Sequence, residues 1–299
     1  MSIDHVALLG ADGNLGPSVL QALVSAGFTI TVLKRESSKS PSNYPEHVAV
    51  RKVPDEFDVE QLVDVLKGQD AVVVTVKGSQ TDLQKRIADA CVRAGVKRFI
   101  PADFGSCDSS SPLTQALVPL YKRKTELREY LTQLAETTPS FSWTSIVCGH
   151  FFDWSLDFIH IWLDARRADI LGDGNTEFSM STLSRVAEAT VRILQRSEQT
   201  ANRMLYVQSF CVSQNDIIRA FESATKQKWE VTRFDAERFK SDEQAKQAKG
   251  DANATEELVW YLGTVDADWR AREGFAMQLL GLADQGLDAA VRKVIQDYR

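Results

Sequence analysis

The sequence predicts an α/β protein: a Rossmann-like, doubly wound parallel sheet with a smaller, mostly helical C-terminal substrate region. Three observations carry this. Up to about residue 150, short β-rich apolar runs alternate with stretches of helical periodicity, as βαβ units require. The first run, HVALLG, opens into GADGNLGPS, where Gly10, Gly13 and Gly16 stand three apart ahead of an amphipathic LQALVSAG. Beyond that point the alternation breaks down and helical patterning dominates.

Strands are expected at HVALLG, FTITVL, HVAVRKV, DAVVVTV, RFIPA and WTSIVC, apolar and largely β-branched or aromatic. Helices are expected over residues 16–26, 59–67, 81–94 and 119–136. Gly27 and Gly95 just past two of them are stop signals. In the second half, ILGDGNTEFSMSTL reads as two short extended pieces around a Gly-Asp-Gly turn, and LSRVAEATVRILQR as a helix. MLYVQ and WEVTRFD read as strands, and Ser213 with Asp216 has capping-box spacing ahead of a helix. The charged KSDEQAKQAKGD is a solvated helix face or a mobile loop. Residues 1–152 are thus expected to form the cofactor domain, with elements around 183–210 returning to it. Residues 153–299 mainly form the substrate region.

The 299 residues can bury a core without disulfide or metal staples. With 25% charged residues and a net charge of −6, the chain lacks the footprint of a nucleic-acid binder or a polybasic membrane surface. A small molecule is the expected partner, and homodimerisation is left open. No signal-like N-terminus and no run of roughly 18 apolar residues occurs, so a cytoplasmic location is expected. Cys91, Cys107, Cys148 and Cys211 are scattered, fit a reduced compartment and show no metal spacing.

A strand-to-helix turn exposes backbone amides at the positive end of the helix dipole and so attracts anions. Glycines let such a turn bend sharply and let a pyrophosphate approach the backbone. The residues expected to hold it are Gly10, Asp12, Gly13, Asn14, Leu15 and Gly16, although G-x-x-G-x-x-G alone also fits a simple tight turn. The end of the second strand, TVLKRESSKS, decides the cofactor. Lys34, Arg35 and Lys39 favour the extra phosphate of NADP, with Glu36 as the contrary signal. Thr75, Val76 and Lys77, after the fourth strand, lie at the sheet edge where a dinucleotide is expected.

GADGNLG, TVLKR, KRFIPADFG and GDGN together, spread over residues 5 to 215, resemble the NmrA-like group of atypical short-chain dehydrogenases. That group includes isoflavone, pinoresinol-lariciresinol and phenylcoumaran benzylic ether reductases. The resemblance implies an NADPH-dependent reductase of a small aromatic or heterocyclic compound of the secondary-metabolite kind. The segment KTELREYL is similar to the family's K-x-x-[IL]-R-x-x-[ILV], whose lysine is regarded as catalytic; carried over, that residue is Lys124. Such a lysine can orient the nicotinamide ribose and exchange a proton with a substrate hydroxyl. Read without the resemblance, it is a solvated cation in a charged helix. Tyr121 lies three residues from Lys124, not the four of the Y-x-x-x-K pattern, and is taken as a pocket residue.

Asp103 stands where the family has glutamate in I-P-S-E-F-G. It is read as shaping the crevice, pairing with a lysine or moving a proton, or as a turn cap; Phe104 follows it toward the substrate. In CGHFFDW, His150 is a candidate acid/base that a nearby Asp153 would make more basic, or else a structural histidine. Phe151 and Trp154 line a pocket or fill a core. Two other functions stay open: an NADP-bound, non-redox isomerase or rearrangement enzyme using the same acid/base groups, and an NmrA-type dinucleotide-sensing regulator.

Overall fold

The computed structural model describes residues 2–298. Its central sheet contains β1 (His5–Leu9), β2 (Thr29–Arg35), β3 (Ala49–Val53), β4 (Ala71–Val74), β5 (Arg98–Ile100) and β6 (Ser142–Val147). The order across it is β6-β5-β4-β1-β2-β3, with these neighbours paired in parallel, and the strand Arg203–Tyr206 lies beyond β6. The order reverses at β1, and the strand ends around that point border the crevice of a doubly wound fold.

The helices that connect these strands are α1 (Gly16–Ser25), α2 (Val59–Leu66) and α3 (Thr81–Ala94), followed by α4 (Pro112–Leu117) and α5 (Pro119–Thr137). Their ends follow local chemistry. The Asp58 carboxylate accepts the Gln61 amide at the start of α2, and Gly95 ends α3 at φ 80°. Leu62 and Leu66 of α2, Ile87 and Cys91 of α3, and Leu127 and Leu131 of α5 pack on Ala7, Leu9, Val72 and Val74. The alternate residues Val6, Leu8, Ala71 and Val73 are also fully buried. Since successive strand side chains face opposite ways, both faces of the sheet are covered.

The chain folds as two compact units, each built from three stretches. The first comprises residues 1–104, 122–146 and 186–205; the second comprises 105–121, 147–185 and 206–299. The second unit holds two three-stranded sheets beside its helices, and so carries more strand than expected. One contains His150–Phe151, Glu177–Ser181 and Phe210–Ser213; the other contains Ile161–Trp162, Arg167–Leu171 and Glu230–Phe234. Strands of two to five residues are too short to show a period of two, which is why three of them escape the sequence reading. The two pieces flanking Gly-Asp-Gly are strands as expected, but they belong to different sheets. The capping box of Ser213 and Asp216 forms, and most of KSDEQAKQAKGD is the helix Ala236–Gln247.

Candidate active site

In the first unit, a cleft of about 550 Å³ opens at the ends of β1, β2 and β4. Gly10, Asp12 and Gly13 line its base, Lys34, Arg35 and Ser38 one side, and Val76 and Lys77 another. Gly10 adopts φ +93°, and a Cβ there would come within 3 Å of Thr75. Thr75 in turn fixes the loop: its amide and hydroxyl both donate to the Leu9 carbonyl, at 2.8 and 3.0 Å. At Gly16 a Cβ would lie 2.1 Å from the Gly10 carbonyl oxygen, so α1 starts tight against the turn. Leu15 is its buried N-cap, no side chain caps the first helical turn, and Asn14 is exposed. Uncapped first-turn amides beside a glycine cradle are the donor set a pyrophosphate needs, and the residues present fit that group.

The three cations named for the 2′-phosphate differ in fate. Arg35 is exposed on the cleft wall. Lys39 is exposed outside the residues lining the cleft. Lys34 departs from expectation: it is buried, and its amine is committed to Asp12 and to three oxygens of the 40–42 segment. The following loop folds back over it, which strand-end position alone does not reveal.

Lys124 and Asp103 are brought together, also within the first unit. The Lys124 ammonium donates to the Asp103 carbonyl oxygen and lies 3.5 Å from its Oδ1. Asp103 is itself clamped: its Oδ2 accepts from Arg128 Nη1 at 2.6 Å and from the Ser145 hydroxyl. Burial works to raise the Asp103 pKa, but Arg128, Lys124 and Ser145 outweigh it and hold the carboxyl below its usual range. A Cβ on Gly78 would come 3.1 Å from Lys124 Cε, so the amine stem lies against the loop that continues from Lys77. Arg128 enters the sequence analysis only as the arginine of the K-x-x-[IL]-R-x-x-[ILV] match, without a role, and Ser145 does not enter it. Arg128 was findable, because it stands four residues after Lys124 on the same helix face. Ser145 was not, because only the β5–β6 pairing brings it near.

Phe104, at φ +38°, is the last residue of the first stretch of the first unit. The remaining candidates lie in the second unit. Tyr121 is buried and shares a 2.6 Å hydrogen bond with the Ser106 hydroxyl. Trp154 is 44% exposed and meets Phe151 edge-on at 6.3 Å. The expected support of His150 by Asp153 does not form. Asp153 Oδ1 instead accepts the Leu183 amide at 2.8 Å. His150 Nε2 faces the Trp260 carbonyl at 3.4 Å, and its Nδ1 has no hydrogen-bond partner among the described residues.

Burial pushes the His150 pKa down to about 4, so the imidazole is neutral and weakly basic at pH 7. The unfolded chain takes up this proton near pH 6.5, whereas the folded chain does so only near pH 4. Stability therefore falls as pH drops through that window, with this group contributing roughly 3 kcal/mol across it. Urea unfolding of wild type and His150→Gln between pH 7 and 4.5 tests this. The stability gap between the two is expected to shrink toward acid, and a pH-independent gap would contradict the account. No metal-binding group of His, Cys, Asp or Glu occurs among the described residues, and no helix there is long and apolar enough to cross a membrane.

A doubly wound parallel sheet with a glycine cradle at its switch point defines a Rossmann-type α/β protein. The chain belongs to the NmrA-like family, whose model matches residues 3–259. It is 32% identical over 296 residues to the oxidoreductase aprR of Aspergillus flavus, covering 97% of this chain and 98% of that one. It is 28% identical over 233 residues to a phenylcoumaran benzylic ether reductase of Populus trichocarpa, covering 73% and 74%. In fold it is similar to leucoanthocyanidin reductase of Vitis vinifera, solved as a binary complex with NADPH. That match has a TM-score of 0.77 at 18% identity over 98% of this chain and 99% of that one.

Proposed function

We propose that this chain is an NADPH-dependent reductase of a small aromatic or heterocyclic compound, with Lys124 handling the proton. The observation that carries the reading is the buried Lys124 amine, held by Asp103 against the loop that continues from the cleft-lining Lys77. The relatives named as oxidoreductases and ether reductases, and the NADPH complex of a protein of the same fold, support it.

Gly10 and Gly16 let the turn close against Thr75 and against the start of α1, and the uncapped start of α1 supplies amides to the pyrophosphate. Arg35 supplies a cation for the 2′-phosphate. When bound, the nicotinamide supplies hydride. Lys124 Nζ gives or accepts a proton at a substrate oxygen, or orients the nicotinamide ribose. Asp103 fixes the ammonium through its backbone carbonyl, and Arg128 and Ser145 hold Asp103 in turn.

Incubation with a panel of oxygenated aromatic compounds, followed at 340 nm with product analysis, tests this reading. NADPH loss equal to product formed is the expected result. Turnover without any change at 340 nm would replace it with the non-redox, isomerase reading of the same residues.

A further inference from the structure

We propose that Asp12, Lys34, Ser40 and Tyr44 form a clasp on the nucleotide cleft, in which Lys34 serves as the counter-ion of Asp12 and leaves recognition of a 2′-phosphate to Arg35. The proposal rests on the cofactor reading above and concerns how this chain makes its cleft compatible with that ligand.

Asp12 lies inside the glycine turn, where an unpaired carboxylate would repel a pyrophosphate. The structure neutralises it. Lys34 Nζ stands 3.2 Å from Asp12 Oδ2, the Ser40 hydroxyl donates to that same oxygen, and the Tyr44 hydroxyl donates to Oδ1 at 2.6 Å. Burial works against the Asp12 carboxylate, but Ser40, Tyr44 and Lys34 together hold its pKa below the usual range. Burial and the same carboxylate push the Tyr44 phenol upward, so it remains a donor.

The Lys34 side chain is 4% exposed and its three N–H donors face four oxygens. Besides Asp12, these are the Ser40 carbonyl, the Pro41 carbonyl at 3.1 Å and the Ser42 hydroxyl at 3.0 Å. The Tyr44 ring closes the group, its centroid 5.7 Å from the amine. No donor is left for a phosphate. Arg35, the next residue, is exposed on the cleft wall, and its guanidinium makes no hydrogen bond or ion pair among the described residues. Two adjacent cations thus divide the work: one cancels the turn's own charge, and the other faces the ligand.

Isothermal titration of NADPH and NADH into wild type, Lys34→Gln, Asp12→Asn/Lys34→Gln, Tyr44→Phe and Arg35→Ala tests this. Lys34→Gln is expected to weaken both nucleotides by roughly tenfold while keeping their ratio, because it leaves Asp12 unpaired beside the phosphates. The double variant is expected to recover most of that loss. Arg35→Ala is expected to weaken NADPH alone. Tyr44→Phe keeps both charges, guards against a misfolded Lys34 variant, and is expected to weaken both nucleotides severalfold with the ratio kept. Selective loss of NADPH in Lys34→Gln, or a double variant no better than the single one, would overturn the proposal. If wild type binds neither nucleotide, the cofactor reading itself fails, and the clasp with it.

Discussion

Lys124→Met is expected to lower turnover by about a hundredfold or more while changing NADPH affinity by less than about tenfold. The methionine keeps the apolar stem against Gly78 but removes the ammonium that donates to the Asp103 carbonyl. Asp103 does not become an orphaned charge, because Arg128 and the Ser145 hydroxyl still hold its Oδ2. The fold should therefore survive, and the loss should appear in kcat. Single-turnover kinetics with bound NADPH checks this. A variant with wild-type kcat would remove Lys124 from the chemistry, and one that melts well below wild type would make it structural.

Gly16→Ala is expected to abolish nucleotide binding and to cost about 2–4 kcal/mol of stability. The added Cβ meets backbone, at 2.1 Å from the Gly10 carbonyl oxygen and 2.6 Å from the Ala11 carbonyl carbon. No flexible side chain can yield there, so the turn must open and its amides must move. Wild type should melt at a higher temperature when saturated with NADPH, since a ligand that binds only the folded state stabilises it. The variant should melt lower and show no ligand shift. An unchanged shift would mean that the cradle is not the binding site.

The sheet and the glycine turn were legible because their causes are local. Apolar β-branched runs make the buried parallel strands, and Gly10 and Gly16 stand where backbone approaches backbone. The long helix carrying Lys124 was legible for the same reason. What escaped depends on residues distant in the chain. Lys34 reads as a phosphate cation at a strand end until the 40–44 segment folds back onto it. His150 and Asp153 are three apart in sequence, yet one faces the Trp260 carbonyl and the other caps Leu183. Asp103 could be read as pairing with a lysine, but not as clamped by Ser145, because that contact needs the β5–β6 register.

Titration of NADPH and NADH into the wild-type protein tests the central claim most directly. The account predicts saturable binding of one NADPH per chain, at least about tenfold tighter than NADH, since only NADPH offers Arg35 a 2′-phosphate. Absence of saturable binding, or NADH binding as tightly as NADPH, would contradict it.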